Sequence, residues 1–250
     1  MCVISSGRND RARIRIARLS GIRQAPTFPF VMVELRRKAK PRNLAGMARF
    51  GIDPHGRLGV SIPDVRRLAR EIGRDHALAL KLWKTGIPDA RILASMVDEP
   101  GKVTAAQMEI WVRGFDSWDV CDQVCLNLFV NTPSAWEKAR EWAGRDREFV
   151  RRAGFASMAC LAVHDKKAPD SAFVRLLPLI RRASTDERNY VRKAVNWALR
   201  QIGKRNRALN RQALAASRTI AKLDSRSAKW IAFDAIRELT SVAARRRLKG

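Results

Sequence analysis

The chain has 250 residues, with 50 Lys or Arg against 24 Asp or Glu, a formal charge of +26. Apolar residues make up 46%, enough to bury a core, so the chain is not a disordered basic tail. The surplus charge argues against an acidic small-molecule enzyme and for a polyanionic partner.

The charge is concentrated at the two ends. Residues 1–50 hold 12 basic and 2 acidic residues, and residues 181–250 hold 19 and 5. The middle, 51–180, holds 19 and 17 and is nearly neutral. That distribution favours a directed basic surface.

Residues 1–30 read as a basic arm, rich in Arg from Arg8 to Arg23. A transit-peptide-like segment is the alternative, or an over-extended start ahead of Met32; the apolar centre of a secretory signal is lacking. No apolar run approaches the ~18 residues of a membrane span. From Val31 the pattern is helical almost throughout. Ser61 and Asp64 form a capping box ahead of Ile62, Val65, Leu68, Ala69 and Ile72, which recur at spacing 3–4. Between them and the preceding segment, Gly51-Ile-Asp-Pro-His-Gly-Arg-Leu-Gly59 reads as a turn-rich joint and matches no phosphate loop.

Asp75 opens the next helix, ending near Gly86; Pro88 to Asp98 is a short third. Thr104 with Gln107 caps a fourth, through Trp111 to Phe115. Asp116 or Ser117 opens a fifth, to about Val130, and Thr132-Pro133 the one after. Asp146 to His164, Pro169 to Ala183, Asn189 to Arg205, Ala208 to Leu223 and Ser225 to Ser241 complete the series, with 242–250 a basic tail. Residues 31–241 then form one all-α domain. Helix pairs of ~40 residues predict a HEAT-like α-solenoid, whose concave face would be basic; an irregular helical bundle is the alternative.

Two segments carry possible chemistry. In Asn189–Arg205, Val191, Ala194, Val195, Ala198 and Ile202 make the apolar stripe, and Trp197 lies off it. Its neighbours at helical spacing are Lys193, Arg200 and Lys204, with Tyr190 two turns back. Trp197 is either a stacking platform beside a phosphate-binding row or an indole packed on a neighbouring helix among snorkelling basic stems. In Asp116–Asp122, Trp118 and Asp122 share a face with Cys125 and Phe129. A carboxylate interrupting an apolar stripe is costly unless paired or facing a wet cleft. Asp122 is either a general base, water-positioner or cation stabiliser, or a buried Asp paired with an Arg or capping a neighbour. Asp119 reads as solvated or capping, and Asp116 as an N-cap.

Cys2, Cys121, Cys125 and Cys160 form no CxxC pair and read as small buried residues in a reducing compartment. His55, His76 and His164 share no spacing and read as structural or surface residues.

Four stretches carry a resemblance. They are Gly59-Val-Ser-Ile-Pro-Asp-Val-Arg-Arg-Leu-Ala69, Ser117-Trp-Asp-Val-Cys-Asp122, Phe149-Val-Arg-Arg-Ala153 and Val191-Arg-Lys-Ala-Val-Asn-Trp-Ala-Leu-Arg200. Together they resemble, in order, segments of the AlkD-type DNA alkylation repair family of HEAT-like repeat DNA glycosylases. The resemblance implies hydrolysis of the N-glycosidic bond of cationic alkylpurines in duplex DNA, without metal or cofactor. It places the catalytic carboxylate at Asp122, the lesion-flanking indoles at Trp118 and Trp197, and a DNA-contacting arginine at Arg152, with Arg151 the alternative alignment. Lys193, Arg200 and Lys204 would join Arg152 on phosphates, and Phe50 is the candidate for the family's DNA wedge. A monomer in the cytoplasm, nucleoid-associated in a bacterium, is the expectation for the chain. Members that bind DNA without robust excision, and helical scaffolds for protein or RNA, are the alternatives.

Overall fold

A computed structural model describes residues 26–248, all-helical apart from short turns and loops. Two compact units divide the chain, meeting in sequence between Lys102 and Val103.

The first unit contains α1 (Phe28–Arg37), α2 (Arg42–Arg49), α3 (Ile62–Ile72), α4 (His76–Lys84) and α5 (Pro88–Val97). The expected arm over 1–30 is shortened from its C-terminal side: Thr27 is an N-cap and Pro29 sits in the first turn of α1, where its missing N–H costs nothing. Residues 1–25 of that expectation lie outside the described residues. The expected caps form. Ser61 Oγ accepts from Asp64 N, and Asp75 from Leu78 N. The joint before α3 is tied down by Asp89 of α5, whose carboxylate accepts from Leu58 N at 2.9 Å and Val60 N at 2.8 Å. Gly59 in that joint has φ +71°, and a Cβ there would meet the Lys40 carbonyl oxygen at 2.6 Å. Only glycine meets both conditions.

Asp64 gives this unit a pH signature. Its carboxylate accepts from Lys40 Nζ at 2.6 Å and from the Ser61 hydroxyl at 2.6 Å, which hold its pKa at about 2. A depressed carboxylate contributes stability above its unfolded pKa, ~4, and loses it as pH falls through about 2. Asp64→Asn is therefore expected to flatten the fall in melting temperature between about pH 4 and pH 2. A variant whose acid profile superimposes on that of the wild type would refute this.

The second unit contains α6 (Ala105–Arg113), α7 (Trp118–Asn127), α8 (Ala135–Ala143), α9 (Glu148–His164), α10 (Asp170–Val174), α11 (Leu177–Ala183), α12 (Asn189–Gly203), α13 (Arg207–Ala221), α14 (Arg226–Thr240) and α15 (Val242–Arg247). In it α7, α9, α12 and α14 pack side by side in turn. A second layer covers them, with α8 on α9 and α13 on α12 and α14. This is the helix-pair stacking expected of HEAT-like repeats. The predicted stripe on α12 is its core face: Val191, Ala194, Val195, Ala198 and Ile202 are fully buried.

Three boundaries differ from expectation. Thr132-Pro133 does not open α8; the Thr132 hydroxyl closes a turn on Phe129 O at 2.7 Å, and the helix starts after Ser134. Pro169–Ala183 is two helices, because Pro178 has no N–H to donate back along the chain and instead occupies the first turn of α11. The expected tail from Val242 is helical to Arg247, capped by Ser241 Oγ accepting from Ala244 N.

α8 and α9 approach closely at Gly154. A Cβ there would lie 2.4 Å from Ala143 N and 2.9 Å from the Trp142 carbonyl carbon, both backbone atoms. Helix propensity alone favours Gly154→Ala by ~1 kcal/mol. Overpacking against backbone costs about 1–3 kcal/mol and should win. Denaturant unfolding should show net destabilisation; a gain would mean that α8 shifts freely.

Candidate functional site

The site is built where α7, α9 and α12 lie side by side. Cys121 and Cys125 are fully buried on α7 and set its distance from α9, with Sγ atoms 3.8 Å from Phe149 O and 3.7 Å from Ala153 O. They pack as small buried side chains, and burial pushes the Cys121 thiol up. Asp122 follows on the rim of that buried face, its side chain 18% exposed.

Arg152 of α9 meets it. Nε donates to Asp122 Oδ1 at 2.9 Å and Nη2 to Oδ2 at 2.7 Å, a two-point fork matched to a carboxylate. Nη1 donates to the Tyr190 carbonyl of α12 at 2.6 Å. One guanidinium thus joins three helices. Its carbon lies 5.8 Å from the Trp118 ring centroid, so indole, cation and carboxylate form one cluster. Burial pushes the Asp122 carboxyl up, and the Arg152 guanidinium opposes that shift. Beside the cluster, the Phe149 and Tyr190 rings stack with centroids 5.5 Å apart. Ser117 stands at the N-cap position of α7 without a side-chain capping bond, its hydroxyl donating to Asp119 instead.

The structure therefore gathers Trp118, Asp122 and Arg152. It turns Arg152 inward, 5% exposed, onto the carboxylate and a backbone carbonyl. This departs from the expected phosphate contact: the guanidinium serves as the counter-charge without which the mostly buried Asp122 carboxylate would stand unpaired. Arg151, the alternative, bonds Asp186 at 2.9 Å.

The α12 residues lie further along. Trp197 is half-buried against the core of this unit. Its Nε1 lies 3.2 Å from the Gln201 side-chain amide. Tyr190 to Trp197 is two helical turns, about 10 Å. Lys193 is exposed. Arg200 and Lys204 both bond Glu238 of α14, Lys204 at 2.7 Å. Burial pushes Glu238 up, but these two cations outweigh it and hold the carboxyl low. Lys204 also lines a separate cleft of about 650 Å³ with Gln201, Arg205 and Ala162. The expected basic row is thus divided, with an exposed Lys193 and a partly neutralised pair near the C-terminal end of α12.

Tyr190 as the anchor of Arg152 was not expected from the sequence. A signal for it existed: Phe149-Val-Arg-Arg-Ala153 recurs as Tyr190-Val-Arg-Lys-Ala194, 41 residues on. That recurrence marks equivalent positions of neighbouring repeats.

The family model described as DNA alkylation repair enzyme matches residues 31–239. The chain belongs to this family. Two curated relatives are the uncharacterized proteins Lmo0209 of Listeria monocytogenes and Lin0241 of Listeria innocua. They are 22% and 21% identical over 201 residues, which is 79% of this chain and 88% of each relative. A solved structure is similar in fold, with a TM-score of 0.71 and 19% identity over 85% of this chain and 95% of its own. It is described as a new family of proteins related to the HEAT-like repeat DNA glycosylases with affinity for branched DNA structures. The all-α HEAT-like repeat fold is shared with it. Among the described residues of this family member, no helix is long and apolar enough to cross a membrane.

Proposed function

We propose that this member of the DNA alkylation repair family is a DNA glycosylase. It would hydrolyse the N-glycosidic bond of cationic alkylated purines, of the 3-methyladenine or 7-methylguanine type, in duplex DNA. The observation that carries the reading is the cluster of Trp118, Asp122 and Arg152: a partly exposed carboxylate fixed in orientation beside an indole.

The chemistry asks little more. N-alkylation puts a positive charge on the purine, so the base leaves with the glycosidic electron pair and becomes neutral. What remains is an oxocarbenium-like sugar and a water that must add to C1′. The Asp122 carboxylate supplies negative charge opposite that cation, on the rim of a buried face where such charge acts more strongly than in bulk water. Arg152 fixes the carboxylate from the protein side. A water held on a remaining lone pair of Asp122 would bond to C1′, passing its proton to Asp122 or to solvent. No second acid is needed for a leaving group already cationic. Trp118 and, further along α12, Trp197 would flank the lesion, and the exposed Lys193 would take a phosphate.

A binding role without excision is the second reading. It is favoured by the commitment of both Asp122 oxygens to Arg152, the arrangement of a structural ion pair. Incubation with duplex DNA carrying methylated purines separates the two. Release of free methylated base is expected. Tight binding of damaged or branched DNA without release, under conditions where another alkylpurine glycosylase works, would establish the binding role instead.

A further inference from the structure

We infer that α14 carries a stacking platform for an unpaired DNA strand, made by Trp230 and Phe233 and separate from the Asp122 cluster. The core face of α14 is Ala228, Ile231, Ala232, Ala235 and Leu239, all fully buried. Trp230 and Phe233 lie off that face, 39% and 64% exposed. At spacing i,i+3 they stand one above the other on the helix surface. Side by side and rimmed by polar residues, the two rings make an exposed aromatic patch of the kind that marks an interaction site.

The surroundings say what the partner is. The Arg192 guanidinium of α12 lies 5.2 Å from the Trp230 ring centroid. One turn before Trp230 is Arg226, beside it is Lys229, and one turn after Phe233 is Arg237; all three are exposed. Three nearby carboxylates temper this charge: Asp234 bonds Arg237, Asp224 bonds Lys229 at 3.3 Å, and Glu187 lies beside Arg226 and Arg192. The cations Arg192, Lys193, Arg200, Arg226, Lys229 and Arg237 still outnumber the carboxylates Glu187, Asp224, Asp234 and Glu238. An apolar partner helix would have to desolvate these cations, which is costly. A single strand instead offers π-faces to the rings and phosphates to the cations, the combination by which single-stranded nucleic acid is held without sequence preference. Duplex DNA keeps its bases stacked and offers the rings only its grooves.

The inference shares with the proposed function only the premise that DNA is the polyanion. Its readout requires no excision, so a chain that releases no base still tests it. Binding of a fluorescent oligothymidine single strand and of a blunt duplex of equal length would be compared by anisotropy. Trp230→Ala/Phe233→Ala is expected to weaken single-strand binding by about tenfold or more, with a smaller change on the duplex. Trp230→Phe, which keeps an aromatic face, should restore most of the loss seen in Trp230→Ala. Lys229→Ala should reduce the salt slope for the single strand by about 0.7. Thermal melting checks that each variant is folded; both rings are on the surface, and Trp230→Phe keeps the answer if truncation unfolds the helix. Equal loss on single strand and duplex, or no loss on either, overturns the proposal. So does the appearance of a wild-type dimer that the double variant abolishes, which would make the rings a contact between copies of this chain.

Discussion

Asp122→Asn is expected to slow release of methylated purines from duplex DNA by about 10²–10³-fold, the cost of removing one preorganised electrostatic group from a developing charge. The substitution preserves shape and one acceptor oxygen. It removes the negative charge opposite the sugar cation and one of the two acceptors that receive Arg152. The fork onto Oδ1 and Oδ2 at 2.9 and 2.7 Å cannot be reproduced by an amide, whose nitrogen would face a guanidinium donor. Part of the effect will therefore be misplacement, and melting and duplex binding must be measured alongside the rate. A loss confined to the rate, with binding within a fewfold of wild type, assigns the charge to the transition state. A folded variant that releases base at the wild-type rate would remove Asp122 from the chemistry.

How far the sequence could be read depended on whether the deciding interaction was local. Ser61, Asp75 and Thr104 each accept from a backbone N–H three residues on, so their caps were legible from spacing alone. The α12 stripe was legible because one face is core and the other is not. α9 offered no such contrast: from Ala153 to Ala162 every residue is buried, and period alone could not say where Arg152 points. Its direction is set by Asp122, 30 residues earlier, and by the carbonyl of Tyr190, 38 residues later. Both alternatives for Asp122, a functional carboxylate or one paired with an Arg, were visible in the sequence, and the structure supplies the pair. Trp197 and Trp230 show the same limit from the other side. Both lie off an apolar stripe among cations, yet Trp197 is half-buried against the core while Trp230 stands under Arg192. Which indole remains open depends on what packs beside its helix.

Arg152→Met is expected to lower stability by about 3–5 kcal/mol, because it leaves the mostly buried Asp122 carboxylate without its counter-charge. For a chain of this size that corresponds to a fall in melting temperature of roughly 6–20 °C. The same guanidinium also satisfies the Tyr190 carbonyl, so the change loosens the junction of α7, α9 and α12 as well. Arg152→Lys should not rescue, since a single ammonium cannot span both carboxylate oxygens and the carbonyl in that geometry. Removing both charges separates the cost of an orphaned ion from the value of the pair. Asp122→Leu/Arg152→Met should recover most of the lost stability, since replacing a buried ion pair with apolar residues of similar volume is often neutral. Excision should stay absent in that double variant. Stability regained without activity would show that the pair is retained for what the carboxylate does to substrate rather than for holding the fold. An Arg152→Met variant that melts with the wild type would instead mean that Asp122 turns out to solvent as soon as its partner is gone. The orientation in the cluster would then owe nothing to Arg152.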